Sequence, residues 1–184
     1  MSIRETLQDA YALLPAKMNS PEATLLLLAI QRQEDPQQLR YQKVARTAKT
    51  LPENVVSADW AKGPARGLLQ FEQGGGVKGV IGHPSAWRQA QAVCQARGVL
   101  FSAGAIWRTL ETDDVLALAL GRLLLWTDSG KLPEIGEEQQ AFDCYLRTWR
   151  PGAWSRGDAA QRTALRQKWA RNYAAALNEL QQPA

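Results

Sequence analysis

Histidine and cysteine are scarce in this chain of 184 residues, which has one histidine and two cysteines. So few nitrogen and sulfur ligands argue against a zinc site, and Cys94 and Cys144 lack the CxxC spacing of redox and metal motifs. We therefore expect no metal centre and no cofactor. Both cysteines are interpreted as small buried apolar residues, with a disulfide between them as the alternative. His83 lies in a Gly-His-Pro turn without a nucleophile elbow, which argues against a Ser-His-Asp hydrolase.

Long apolar segments are also missing. Runs such as Leu25 to Ile30 are far too short to cross a bilayer, and the first residues lack the apolar core of an export signal. We expect a protein made in the cytoplasm with no membrane span. Charge of one sign is not in large excess, because 22 Lys and Arg against 18 Asp and Glu leave a net charge of +4. That excess is too small to indicate a dedicated nucleic-acid binder.

What is present is the composition of one folded domain, with 45% hydrophobic residues. The strongest helix signal begins at Ser20-Pro21-Glu22, an N-cap followed by a first-turn proline and an early acid. The run that follows is apolar on all sides, which predicts a helix through the middle of the core. Pro36 ends it, because proline disfavours a helical conformation at Asp35 and has no backbone N–H to donate. Glu34 is therefore predicted at the exit of the most buried helix.

The rest of the chain is predicted to be mainly α. Apolar spacing and capping residues predict helices over 3–16, 85–97, 102–111, 112–129, 137–149 and from Asp158 to about Leu180. Residues 37–62 are predicted to be an exposed basic excursion, and 63–67 a turn. The glycines of 74–79 are predicted to form a flexible loop, and any β-structure is expected near them.

Glu34 is the carboxylate with the least obvious structural role. A carboxylate at the C-terminal end of a helix meets the unfavourable end of the helix dipole, and emergence from an apolar run implies partial desolvation. Both effects raise the pKa of a carboxyl group, which is what a general acid needs. The alternative, a surface glutamate that merely ends a helix, stays open on these residues alone.

Three short stretches occur in an order that resembles a known family. They are Gln33-Glu34-Asp35, Gly67-Leu68-Leu69-Gln70 and Ala141-Phe142-Asp143. Together they resemble the lytic transglycosylases of the lysozyme-like superfamily, in which a helix ends in Glu-Ser, a loop leads to Gly-Leu-Met-Gln, and a later helix carries Ala-Tyr-Asn. The resemblance covers roughly 20–149. It departs at Asp35, at Phe142-Asp143 and in a longer segment between Glu34 and Gly67.

The resemblance implies a lysozyme-like helical domain over 20–152, with a long central buried helix and a Gly-rich loop or small β element. Residues 1–19 would add a helix packed on the body within a single domain overall. The helical spacing of Trp169, Tyr173 and Leu177 predicts that 153–184 contribute a C-terminal helix docked on that body. The implied activity is cleavage of the peptidoglycan glycan strand, as a lytic transglycosylase or a lysozyme. Glu34 would first protonate the glycosidic oxygen and then act as base.

The resemblance also implies which residues bind the glycan. Gly67, Leu69 and Gln70 would line the cleft beside Glu34. Phe142, Tyr145 and Trp149 would offer apolar faces to sugar rings. Asp59 and Glu72 are the available second carboxylates for a lysozyme-type scheme, although the one-carboxylate scheme is favoured because neither has a marked context. Trp107 and Trp126 are interpreted as packing residues.

Four further stretches look like a group of small phage and prophage proteins. They are Leu-Leu-Pro-Ala-Lys-Met at 13–18, Gly-Pro-Ala-Arg-Gly-x-x-Gln-Phe-Glu-x-Gly-Gly-Gly-Val at 63–77, Leu-Leu-Leu-Trp-Thr-Asp at 123–128 and Tyr-Leu-Arg-Thr-Trp-Arg-Pro-Gly at 145–152. This likeness implies a virion or tail component that acts in the cell wall, with peptidoglycan and other virion or tail proteins as partners. A cytoplasmic endolysin remains open. So do a catalytically degenerate structural component of a tail and a basic domain that binds nucleic acid or an acidic partner.

Overall fold

Helices dominate the computed structural model, which describes residues 2–182. About 60% of the chain is helical and 8% is in strands, which confirms the mainly α class. The helices are α1 (Ile3–Ala12), α2 (Pro21–Glu34), α3 (Lys78–Ile81), α4 (Trp87–Ala96), α5 (Ala103–Thr109), α6 (Asp114–Thr127), α7 (Glu138–Trp149), α8 (Gly152–Ser155) and α9 (Ala159–Gln181). Strands β1 (Tyr41–Ala45), β2 (Trp60–Arg66) and β3 (Phe71–Glu72) form one antiparallel sheet in that order.

Local capping chemistry sets where several helices begin. The Ser20 hydroxyl accepts a hydrogen bond from the Ala23 amide at 3.2 Å, and Pro21 is the first residue of α2. Asp113 caps α6 and Asp158 caps α9 in the same way. The starts of these helices are confirmed at the predicted residues. The end of α2 is confirmed as well, since Asp35 leaves the helical conformation directly before Pro36.

The core is built around α2, whose apolar run is buried on all sides. Helix α9 packs along α2, and α1 packs on α6. At Gly121 on α6, a Cβ atom would lie 2.1 Å from Leu69 Cδ1 and 3.1 Å from Leu27 Cδ2. Glycine is therefore required there for Leu69 to pack against α2 and α6. This contact anchors the turn that contains Leu69 to the centre of the molecule.

The exposed excursion predicted over 37–62 is confirmed, since most of its residues are solvent-exposed. It contains β1 and the start of β2, and the turn predicted at 63–67 is wrong, because residues 63–66 belong to β2. Lys43 pairs with Lys62, whereas Tyr41 pairs with Arg66. The segment of β2 between Lys62 and Arg66 is therefore longer than the segment of β1 that it faces, and its extra residues form a β-bulge. Pro64 lies at this bulge, where a strand tolerates a missing N–H donor. No alternating apolar pattern marks β1, because this strand is largely solvent-exposed. Its pairing depends on a partner strand that is distant along the chain.

The glycine-rich segment is ordered rather than a flexible loop. Residues Gln73–Val77 form a π-helical turn that leads directly into α3. A Cβ atom on Gly76 would lie 2.4 Å from Phe71 Cδ1, so this glycine lets the turn approach the Phe71 ring. Close packing therefore explains Gly76, whereas a Cβ atom on Gly74 or Gly79 would have nothing within 4 Å.

The cysteines are buried and unbonded, as interpreted from the sequence. Burial raises the pKa of both thiols to about 11. Trp107 and Trp126 pack against the core while partly buried, which confirms their interpretation as packing residues.

Candidate active site

Glu34 is the last residue of α2 and remains partly exposed to solvent. Its Oε1 accepts a hydrogen bond from the Tyr145 hydroxyl across 2.5 Å. Tyr145 is itself only 1% exposed, and its ring stacks on Trp169 with centroids 4.8 Å apart and planes 17° from parallel. The phenol is therefore held in a fixed position against the carboxyl group.

The surroundings of Glu34 favour its neutral form. Desolvation raises the pKa of Glu34 and outweighs the hydrogen bond from Tyr145 and the positive charge of Lys168, which both lower it. The direction agrees with the expectation from the sequence, with desolvation as the largest cause. Burial and the neighbouring Glu34 carboxylate raise the pKa of Tyr145 as well, so the phenol remains protonated and donates. A carboxyl group in this setting keeps its proton to higher pH than an ordinary glutamate.

Asp35 organises the loop that follows Glu34. Its carboxylate accepts hydrogen bonds from the Leu39 amide at 2.9 Å and from the Arg40 amide at 2.7 Å. The carbonyl of Arg40 in turn accepts the Gly67 amide at 2.8 Å. Asp35 is 4% exposed, so both of its bonds form away from bulk water. The residue that departs from the family pattern thus has a structural role, linking the exit of α2 to Gly67.

The turn Gly67–Gln70 requires its glycine. Gly67 has φ of +77°, and a Cβ atom there would lie 2.9 Å from the Leu110 carbonyl oxygen. The Gln70 side chain donates from Nε2 to the Gly67 carbonyl at 2.9 Å, which closes the turn on itself. The carbonyl of Leu69 accepts the Trp149 indole N–H at 3.0 Å. Gln70 is partly exposed, whereas Gly67 and Leu69 are buried.

Helix α7 brings the exit of α2 and this turn together. Tyr145 and Trp149 are four residues apart, so they lie on one face of α7 within about 6 Å of each other. Tyr145 contacts Glu34, and Trp149 contacts the Leu69 carbonyl. The C-terminal half of α7 thus bridges the first two stretches of the family resemblance. The third stretch begins on the same helix at Ala141.

Strained backbone is concentrated at this junction. Within residues 2–182, the non-glycine residues with positive φ are Gln38, Arg40, Gln70 and Arg150. The first two belong to the loop after Glu34, and Gln70 belongs to the turn beside Trp149. Such conformations each cost about 1–3 kcal/mol and tend to occur at functional sites.

Two of the predicted sugar-binding aromatics are enclosed. Phe142 is 1% exposed and packs against Trp154 at 5.4 Å and Trp169 at 5.7 Å between ring centroids. The prediction that Phe142 and Tyr145 present ring faces to a ligand is therefore wrong, because core neighbours fill those faces. Trp149 is partly exposed and meets Phe71 edge-on at 5.9 Å. Its role as a sugar contact stays a prediction.

The two candidate second carboxylates are exposed and take no part in the Tyr145–Glu34 hydrogen bond. Asp59 is in the turn before β2, and Glu72 is on β3. In the described part of the chain, no hydrogen bond or ion pair joins either of them to Glu34 or Tyr145. Glu72 borders a surface depression of about 420 Å³ beside Trp107, which Glu34 does not line.

Residues of α9 that sequence reasoning missed complete the site. The Lys168 ammonium donates to the Gln33 carbonyl oxygen. Asn172 donates from Nδ2 to Gln33 Oε1 at 2.9 Å. The spacing of Trp169 and Tyr173 predicted that α9 docks on the body. It did not predict which residues the polar neighbours of those aromatics would contact.

Two structural findings bear on function. Among residues 2–182, no group of three or more His, Cys, Asp or Glu is arranged to hold a metal ion. In the same range, no helix has both the length and the apolar character needed to span a membrane.

Comparison with known proteins found no family model, no curated protein and no solved structure that matches the chain. The case for a function therefore rests on the residues and their geometry.

Proposed function

We propose that the chain has a lysozyme-like fold and cleaves the glycan strand of peptidoglycan, with Glu34 as the single acid–base group of a lytic transglycosylase. The observation that supports this most directly is the convergence on α7 of the exit of α2 and the turn Gly67–Gln70. Two stretches that resemble the family meet there around a partly exposed glutamate with a raised pKa.

The chemistry needs one carboxyl group in two protonation states. Protonated Glu34 transfers its proton to the glycosidic oxygen as the bond between that oxygen and C1 of the muramic acid breaks. The resulting carboxylate then removes the proton from the 6-hydroxyl of the same sugar. That oxygen attacks C1 and closes the anhydro ring, so no water is consumed and Glu34 is protonated again.

The neighbours of Glu34 suit both halves of this cycle. Desolvation raises the pKa of Glu34 and so favours the protonated form that cleavage needs. Once the proton has left, the Tyr145 hydroxyl and the nearby positive charge of Lys168 stabilise the carboxylate. Trp149 and the partly exposed Gln70 are the residues we assign to the adjoining glycan contact.

Mass spectrometry of the soluble products from purified peptidoglycan tests this proposal. We expect anhydro-muropeptides from the natural protein and none from Glu34→Gln, which keeps the size and hydrogen-bonding capacity of the side chain. Glu53→Gln is the matched control, because it makes the same chemical change at an exposed residue of a 3₁₀ turn. Full activity of Glu34→Gln would exclude Glu34 as the acid.

The second carboxylates separate the two mechanisms. In the one-carboxylate scheme, Asp59→Asn and Glu72→Gln retain cleavage and still yield anhydro products. Reducing-end products that disappear with either variant would indicate a lysozyme that uses water and that carboxylate.

A structural role of the same fold in a phage tail or virion is the second candidate. It is favoured because Asp35, which departs from the family pattern, is committed to two backbone hydrogen bonds, and because Glu34 lines neither of two surface depressions. This candidate predicts no product even at high protein concentration and a fixed copy number in purified particles. In either case we propose that the protein acts with other virion or tail proteins.

A further inference from the structure

Helix α9 lies outside the part of the chain that resembles the lytic transglycosylases. It nevertheless contacts the residue before Glu34 in the chain and the residue that donates a hydrogen bond to Glu34. Lys168 and Asn172 bind Gln33, which precedes Glu34 in α2. Trp169 stacks on Tyr145, which donates to Glu34. Lys168 and Asn172 are four residues apart on the side of α9 that meets α2, and Trp169, next to Lys168, meets α7.

Gln33 needs partners because it is buried at a helix end. The carbonyls of the last helical turn have no partner within the helix, and Lys168 satisfies that of Gln33. A cation at this end also interacts favourably with the helix dipole. Gln33 is only 4% exposed, so its side-chain amide also needs a partner. Asn172 donates a hydrogen bond to the Oε1 atom of that amide.

We propose that Lys168 and Asn172 are positioning residues, which hold the last turn of α2 through Gln33 and thereby aim the Glu34 carboxyl group. The proposal rests on the proposed function for its meaning in catalysis, but its physical content can be measured without activity. Lys168 acts through its charge as well as through its hydrogen bond, whereas Asn172 acts through its hydrogen bond alone.

The groups that act electrostatically on Glu34 are Tyr145 from α7 and Lys168 from α9. Removing the cation from Lys168 removes an interaction that favours the Glu34 carboxylate. Lys168→Met should therefore shift the titration midpoint of Glu34 upward by about half a pH unit or more. Lys168→Arg keeps the charge, so in this variant the titration midpoint of Glu34 should stay close to that of the natural protein.

The test is a carbon-13 NMR titration of the side-chain carboxyl groups in the full chain, with the Glu34 signal assigned by its loss in Glu34→Gln. Arg171→Met is the matched control, since it removes an exposed cation from the same helix. We expect Lys168→Met to shift Glu34, and Lys168→Arg and Arg171→Met to titrate like the natural protein. An unshifted Glu34 in Lys168→Met, or an equal shift in Arg171→Met, would overturn the proposal.

Asn172→Ala tests the hydrogen-bond part without a change in charge and serves if Lys168→Met does not fold. We expect the Glu34 midpoint to stay unchanged, and the side-chain amide signals of Gln33 to move. On peptidoglycan, the same variant should lower kcat severalfold with little effect on KM. Unperturbed Gln33 signals would contradict the positioning role. A natural protein that yields no muropeptides contradicts the proposed function alone, because the titrations do not depend on turnover.

Discussion

The Tyr145 hydroxyl and Glu34 Oε1 are joined by a hydrogen bond of 2.5 Å between residues 111 positions apart in the chain. This bond favours the carboxylate form of Glu34, against the stronger opposing effect of desolvation. The balance between desolvation on one side and the Tyr145 hydrogen bond and the Lys168 charge on the other determines how far the pKa of Glu34 is raised.

Tyr145→Phe removes the donor and keeps the ring that stacks on Trp169. Because the lost hydrogen bond lowers the pKa of Glu34, the variant should titrate at higher pH than the natural protein. In an active enzyme, the limb of the pH–rate profile that requires protonated Glu34 should move upward accordingly. The loss of one hydrogen bond should cost about 1 kcal/mol of stability, measured by denaturant unfolding. A profile that stays in place would show that the phenol does not tune the acid.

Glu34→Gln should change how stability depends on pH. The pKa of Glu34 is raised in the folded state, so the native protein binds the proton more tightly than the unfolded chain. The folded state of the natural protein therefore loses stability as pH rises from the unfolded pKa through the raised folded value. Glu34→Gln lacks this loss.

The measurement is the Tm of both proteins from pH 4 to pH 8. The two should be similar at the acid end, and Glu34→Gln should gain relative to the natural protein as pH rises. A difference that is independent of pH would mean that the carboxyl group pays no desolvation cost on ionising.

Gly67→Ala should be strongly destabilising. The substitution adds a Cβ atom 2.9 Å from the Leu110 carbonyl oxygen at a residue with φ of +77°. Gly98→Ala is the matched control, because Gly98 has φ of +67° and nothing within 4 Å of a Cβ atom. The control should cost about 1 kcal/mol from backbone strain, and Gly67→Ala should cost about 1–3 kcal/mol more from the added clash. Equal losses in urea unfolding would show that the turn relaxes away from Leu110.

Asp35→Ala should loosen the connection between Glu34 and the turn at Gly67. It removes the acceptor of the Leu39 and Arg40 amides, each of which bonds to a largely buried carboxylate. We expect a loss of about 2–4 kcal/mol in stability. Hydrogen exchange should accelerate at those two amides more than at the amides of α9. Asp114→Ala, which instead removes the ion pair to the Arg40 side chain, should leave the exchange of the Leu39 amide slow.

The helical framework was predictable because its signals are local. An N-cap side chain bonds to an amide only three residues away, as Ser20 and Asp158 do, and a proline restricts the residue directly before it. These interactions determine where α2 begins and ends, and hence that Glu34 stands at the exit of a buried helix. Continuous apolar character likewise determined that α2 lies in the core.

The partners of Glu34 were decided by the tertiary structure. The family resemblance predicts Tyr145 as an aromatic that faces a sugar, whereas its ring stacks on Trp169 and its hydroxyl donates to Glu34. The pairing of β1 with β2 and the contact of Lys168 with Gln33 have the same origin. Local residue patterns alone predict the longer helices, where α2 ends and the candidate acid, but not the short helices α3 and α8. The surroundings of that acid depend on contacts between distant segments, which form only when burial of apolar surface brings those segments together.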